Sequence, residues 1–392
     1  MSATPKRPGP RQTAACGLQD SSFVRARVES ANLDVLRSIA VLLVFACHFS
    51  GMLTGGGARY SLIWRIGRLG VLIFFVHTCL VLMWSLDRSQ PGARHLFSAF
   101  YVRRAFRIYP LSIVFVLFAL VFDTRWNPVN LCQSLTLTQY IFFKGHVTIP
   151  PLVTPLWSLP LEVEMYVALP CLYLIFRNRS ILSLAFFWIS TVVLSFFQPR
   201  LGEGFEILKY VPCFLGGIMA WRLIRSGARP RLPAWTWPAG IAAASVFALT
   251  ATEKSLFFSI SALGMCLGLL IPQFHELTWP PITRAAKIVA RYSYGIYLAH
   301  FPIMSYVMQS RYYWPERIFH YLPPMIAIPH FAKPIDFVLV TTLTAVASFV
   351  LYHAIEEPGI RLGHRLARKI LLAKFPWQNP QTLAASSASQ NG

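Results

Sequence analysis

The stretch Asn32-Leu33-Asp34-Val35-Leu36-Arg37-Ser38-Ile39-Ala40 runs directly into an apolar segment that closes on Cys47-His48-Phe49. From residue 33 to 54 it is long enough, as a helix, to cross a hydrocarbon core, which takes about 20 residues. At 100° per residue, Arg37 and His48 lie within about 20° of each other around the helix and about 16 Å apart along it. Asp34, three residues before Arg37, shares the same stripe. A spanning helix with one polar stripe turns it toward other helices or a water-filled cavity, because polar groups facing lipid are costly. This predicts a bundle of membrane helices around a polar interior.

The rest of the chain reads the same way. Of its 392 residues, 55% are hydrophobic and only 13% charged. A soluble domain carries about 25% charged residues. The mean hydropathy is +0.51. The expected fold is all-α, a polytopic membrane protein of about ten transmembrane helices. The spans fall near residues 33–54, 69–86, 108–122, 156–176, 181–197, 207–224, 236–251, 255–272, 292–308 and 336–354. The segment 129–143 reads as a short piece outside them.

Residues 1–31 are polar and basic, with no apolar run near the start, and read as a cytoplasmic tail rather than a secretory signal. Residues 32–358 read as the membrane domain and 359–392 as a second cytoplasmic tail. With the N-terminus inside, cytoplasmic segments hold 24 Lys and Arg and outer segments 11. That bias predicts a multi-pass protein of the cell (inner) membrane with both termini cytoplasmic.

The formal net charge of +21 is spread in short clusters between apolar stretches. Such clusters attract anionic lipid headgroups, and they form no block suited to nucleic acid. The seven cysteines make no C-x-x-C pair and read as small hydrophobic residues. No close His/Cys/Asp/Glu cluster predicts a metal.

Two further polar features fall at span ends. Tyr101-Val102-Arg103-Arg104-Ala105-Phe106-Arg107-Ile108-Tyr109-Pro110 lies at the predicted cytoplasmic edge of the third span. Arg104 and Arg107, at i and i+3, can face one anionic ligand from a helix. Trp157-Ser158-Leu159-Pro160-Leu161-Glu162-Val163-Glu164-Met165-Tyr166 opens the fourth span, with Glu162 and Tyr166 on one face. Each feature has a plainer reading. Arg37 can snorkel to headgroups, His48 and His300 can be core histidines, and the arginine pair can serve topology alone.

Taken together, these elements resemble the acyltransferase-3 family of membrane O-acyltransferases. The resemblance rests on Arg37 and His48 with ten residues between them, Arg104-Ala105-Phe106-Arg107, and Trp157-Ser158-Leu159 with Glu162 and Tyr166. Tyr292-Ser293-Tyr294-Gly295-Ile296-Tyr297-Leu298-Ala299-His300-Phe301-Pro302 and the closing Glu356-Glu357-Pro358 extend it. His77-Thr78 departs from it, standing where the family usually has Ser-Gly.

The resemblance implies transfer of an acyl group, with acetyl expected, from cytoplasmic acyl-CoA to a hydroxyl of a carbohydrate or glycolipid. The acyl-CoA is a donor substrate, and no bound cofactor is implied. His48 is then the general base, since a free neutral imidazole has a pKa of about 6.5, with a covalent acyl-His intermediate as the alternative. Glu162 orients His48 or the acceptor. Arg37, Arg104 and Arg107 hold or guide the donor. Asp34, His77, Trp157, Tyr166, Tyr297 and His300 are candidates for lining the substrate cavity, with His77 expected beside His48. The competing reading is a proton-coupled transporter or flippase that uses the intramembrane Arg, His and Glu as a relay.

Overall fold

The hydroxyl of Ser30 accepts a hydrogen bond from the Leu33 amide, and the first helix follows (α1, Ala31–Leu53). This is the ordinary chemistry of a helix start. The computed structural model describes residues 30–54, 61–88, 95–122, 126–141, 151–250, 255–308 and 333–372. The predicted N-terminal tail up to residue 29 and the tail beyond 372 lie outside the described residues.

After α1 come α2 (Leu62–Arg88), α3 (Leu96–Phe122), the short α4 (Pro128–Thr136) and a 3-10 segment, Pro151–Ser158. The 3-10 segment leads into α5 (Leu159–Phe176), then α6 (Ile181–Ser195), the single turn α7 (Gln198–Leu201) and α8 (Ile207–Arg225). Next are α9 (Trp237–Leu249), α10 (Leu256–Leu270) and α11 (Pro280–Met308). Last come α12 (Lys333–Leu351) and α13 (Glu357–Leu372), joined by a π-helical turn at Tyr352–Glu356. Among the described residues there is no strand; one isolated bridge pairs Leu232 with Phe274.

Among the described residues, six helical stretches are long and apolar enough to cross a membrane: 31–53, 62–88, 96–122, 152–176, 207–225 and 334–371. Two shorter apolar helices cover 181–195 and 257–273. The outer surface carries a belt of exposed apolar side chains, including Leu182, Phe186, Val121 and Val338. Such a belt has no place in water and suits a lipid surround.

The second span begins at Leu62 rather than 69, and two others begin 12 residues earlier than expected. The third starts at Leu96 rather than 108, and the ninth at Pro280 rather than 292. Arg104 and Arg107 are therefore well inside α3 rather than at its edge, and the helical spacing expected of them holds. Arginine is a good helix former, and its charge decides only which way that face turns. The segment 129–143 supplies the nine-residue α4, capped by the Asn127 side chain and ended by Leu137 in the left-handed region at φ 55°.

The site depends on how α1 is held. Glu276 accepts from the Ser30 hydroxyl at 2.7 Å and the Asn32 amide at 3.2 Å, an anion at a helix N-terminus. The Asn32 side chain closes the clamp, donating to the His275 carbonyl and accepting from the Leu277 amide. Farther on, Ser38 donates to the Ala286 carbonyl and Arg37 to Ser293. These contacts advance together along both chains, so α1 and α11 run parallel and in fixed register.

Glycine permits close approach elsewhere. A Cβ on Gly70 would stand 2.5 Å from the Ala40 carbonyl oxygen, which sets α2 tightly on α1. Gly264-x-x-x-Gly268 on α10 faces Gly216 on α8, where an added Cβ would meet the Gly264 oxygen at 2.0 Å. Small-residue contacts of this kind let membrane helices bring their backbones together.

Candidate active site

A cavity of about 100 Å³ opens where α1, α2, α3, α5 and α11 converge. Arg37 enters from α1, His77 and Thr78 from α2, and Arg104 and Arg107 from α3. Ser158, Glu162 and Tyr166 come from the 3-10 segment and α5; Ser293, Tyr294 and Tyr297 come from α11. Phe74, Val71, Val81 and Leu82 supply its apolar side.

The polar groups are tied individually. Arg37 Nε donates to Ser293 Oγ at 2.7 Å, and Ser293 donates to the Ala290 carbonyl. Tyr166 donates to Glu162 Oε2 at 2.8 Å, across one helical turn. Arg107 Nη1 lies 3.1 Å from Glu356 Oε1, although neither carboxylate oxygen receives a well-directed hydrogen bond. The π turn is what aims Glu356 inward. Its carboxylate is fully buried, while Glu357 next to it faces outward and accepts from His353 and Arg361. Single π turns inside helices recur at functional sites. Arg104 Nε is buried with no partner among the described residues.

The charge balance follows. Arg37, Arg104 and Arg107 stand against Glu162 and Glu356 in one electrostatic cluster, leaving one formal positive charge in excess. Guanidinium stays protonated in proteins, so this excess does not titrate away. An anion entering the cavity would meet an unpaired donor and a net positive field.

His48 is elsewhere. It lies toward the other end of α1, where its Nδ1 is 2.8 Å from Nε2 of His300. His300 Nδ1 is 2.9 Å from the Ile296 carbonyl. The edge-on ring of Phe301, at 5.3 Å, and Trp64, at 6.4 Å, flank His48. Tyr297 stands between the two stations: it borders the cavity, and its ring is 6.2 Å from that of His300. Its hydroxyl donates to the Pro155 carbonyl at 2.5 Å, so the Ser158 hydroxyl, 2.7 Å away, donates to Tyr297.

The expected residues thus divide. Arg37, Arg104, Arg107, Glu162, His77, Tyr166 and Tyr297 share the cavity. His48 and His300 form a separate pair. Glu162 is bonded to Tyr166 rather than His48, so the side chain in contact with His48 is His300. His77 lines the arginine cavity and not the space around His48. Asp34 and Trp157 do not border the cavity; the Trp157 ring packs at a tilt to Tyr210, 6.1 Å away. Sequence reasoning assigned no site role to Ser158, Ser293, Tyr294 or Glu356. For Glu356 the sequence carries a signal, the Glu356-Glu357-Pro358 element, but its partner Arg107 is 249 positions away in the chain.

Comparison with known proteins agrees in kind with this geometry. The family model described as "Acyltransferase domain" matches residues 30–353, which include Arg37, His48, His77, Arg104, Arg107, Glu162 and His300 and stop just short of Glu356. The chain is also similar to "Acyltransferase MdmB" of Streptomyces mycarofaciens, with 30% identity over 168 residues. That match covers 38% of this chain and 41% of the relative, so less than half the length of either is aligned. No solved structure matches.

Proposed function

Because the chain belongs to the acyltransferase-3 family and is an acyltransferase, we propose that it moves an acyl group from acyl-CoA to a hydroxyl of a carbohydrate or glycolipid. The donor enters from the cytoplasm and the acceptor from the other side of the membrane. The reading includes ten spans, with both termini cytoplasmic.

One observation carries this reading: the cationic cavity and the His48 pair occupy one face of α1, about 16 Å apart by helical rise. Acyl-CoA is polyanionic at one end and carries its thioester at the end of a long arm. Arg104, with its unpartnered Nε, and Arg37 supply the positive field for that anionic donor. Arg107 holds its carboxylate partner and shapes the field. His48 lies one arm's reach away, on the side from which an outer acceptor would come.

The chemistry at His48 is acyl transfer by general base. His48 Nε2 takes the proton of the acceptor hydroxyl while its oxygen bonds to the thioester carbon. The C–S bond then breaks, and the departing thiolate takes up that proton from His48, giving an ester and a free thiol. No charge is left behind on the protein, which suits a site within the membrane.

Mass spectrometry of envelope glycans and lipids from cells with and without the gene tests the proposal. It predicts one product that is heavier by one acyl group only when the gene is present. Identical glycan and lipid masses in the two strains would contradict it.

A further inference from the structure

We propose that His300 is a positioning residue that sets the tautomer of His48, leaving the Nε2 lone pair of His48 free for the acceptor hydroxyl. The inference rests on the reading of His48 as the base. It adds a residue and a proton arrangement to that reading.

The arrangement follows from what each atom can do. A carbonyl oxygen only accepts, so the contact between His300 Nδ1 and the Ile296 oxygen at 2.9 Å requires a proton on His300 Nδ1. His300 is 1% exposed within a membrane bundle, and a charge there is costly, so its resting ring is neutral. A neutral ring carries one N–H, and His300 Nε2 is therefore an acceptor. The atom 2.8 Å away, His48 Nδ1, must then be the donor. His48 is neutral as well when at rest, and its only proton is now used. Its Nε2 is bare and basic.

Without His300 nothing in this chain of bonds selects that tautomer. His48 with its proton on Nε2 would present a donor where the reaction needs an acceptor. The same bond serves the next step. When His48 takes the hydroxyl proton and becomes an imidazolium, its Nδ1–H still points at the His300 lone pair, which stabilises the new charge. The proton returns from Nε2 to the leaving thiolate, and the His300 protons never move. A carboxylate does this work in the Ser-His-Asp arrangement; here a second imidazole, itself fixed by a backbone carbonyl, takes the place.

The register of the two helices is what brings the pair together. The Glu276 clamp and the Arg37–Ser293 bond hold α1 against α11, and His48 and His300 fall opposite each other farther along. Phe45 and Phe301 close around the rings and fix their planes.

The test uses the full chain in native membranes at matched protein level, with kcat and KM measured for acetyl-CoA and the acylated acceptor. His300→Ala is expected to lower kcat by about 10²–10⁴-fold, the contribution of general-base catalysis that a wrong tautomer forfeits, with KM for the donor within about twofold. His300→Gln should recover at least about tenfold of that loss, because its amide oxygen can accept from His48 Nδ1–H. His300→Leu, similar in bulk but without an acceptor, should not recover. Near-normal kcat in His300→Ala would overturn the proposal, as would equal activity of the Gln and Leu variants, which would mean packing alone. His48→Ala separates the layers: an active His48→Ala removes the base reading itself, while an inactive His48→Ala beside an active His300→Ala removes only the role of His300. A measurement that needs no variant to be active is nitrogen NMR of the histidine-labelled wild-type protein, assigned by the loss of signals in His48→Asn. It should show His48 protonated at Nδ1 and bare at Nε2. A protonated Nε2 on neutral His48 would overturn the assignment.

Discussion

The Arg107–Glu356 pair makes an asymmetric prediction. The Glu356 carboxylate has no exposed surface, whereas the Arg107 side chain keeps 26% of its own. At 3.1 Å, and with an effective dielectric of 20, the pair attracts by about 5 kcal/mol before desolvation is counted. Removing one partner of a buried pair costs about 3–5 kcal/mol, chiefly because the other charge stays buried alone. The two removals are therefore unequal. In Glu356→Gln the orphan is Arg107, which can turn toward water, so the loss should sit near the lower end, about 3 kcal/mol. In Arg107→Met the orphan is a carboxylate with no route to solvent, so the loss should reach about 5 kcal/mol. The double variant leaves no orphan, so its loss should fall short of the sum of the single losses by about 2–3 kcal/mol and come out near that of Arg107→Met. Thermal unfolding of the purified protein in one detergent, followed by intrinsic tryptophan fluorescence, ranks the four proteins. The expected order of melting temperature is wild type, then Glu356→Gln, then Arg107→Met with the double variant close to it rather than far below. Additive losses, or an Arg107→Met as stable as wild type, would refute the reasoning.

Three other outcomes are expected. Arg104→Ala should raise the apparent KM for acyl-CoA about tenfold or more, with Arg104→Lys recovering only part because an ammonium lacks the planar fork; an unchanged KM in labelled acetyl-CoA assays would assign Arg104 to topology. Gly216→Ala should lower the melting temperature by the equivalent of about 1–3 kcal/mol, since its Cβ meets the α10 backbone, while Gly51→Ala, with nothing within 4 Å, should not; equal behaviour would mean α8 and α10 are not in this close contact. Single cysteines introduced near residues 10 and 385 should resist an impermeant maleimide in intact cells, and ready labelling of either would reverse the proposed placement of that terminus.

Much of this was legible in the sequence, and the reasons differ by residue. The stripe on α1 was readable because 100° per residue is a local rule that needs no knowledge of neighbours. Membrane character was readable from apolar length, which is local too. The starts of α3 and α11 were misjudged because hydropathy drops at Arg103, Arg104 and Arg107 and at Arg284, Lys287 and Arg291, while the helices continue through them. The inward turn of Glu356 depends on the π-helical segment before it, and nothing in Tyr352-His353-Ala354-Ile355-Glu356 announces one. The partner of His48 was the hardest to see. Glu162 was the plausible carboxylate, but which side chain reaches His48 is set by the register of α11 against α1, and that is fixed far away, at Glu276 and Ser293. Asp34, although near the stripe, is 60° from Arg37 by helical geometry and falls outside the cavity.

The central claim is that His48 accepts a proton from the acceptor hydroxyl. The most direct measurement is acceptor acylation in membranes carrying His48→Gln at wild-type protein level and with an unchanged melting temperature. Glutamine keeps hydrogen-bonding capacity but has no basic nitrogen, so turnover should fall by at least about 10²–10⁴-fold, the usual contribution of a positioned base. Turnover close to wild type in His48→Gln would contradict the account, because a residue needed only for packing or hydrogen bonding is all that such a result allows.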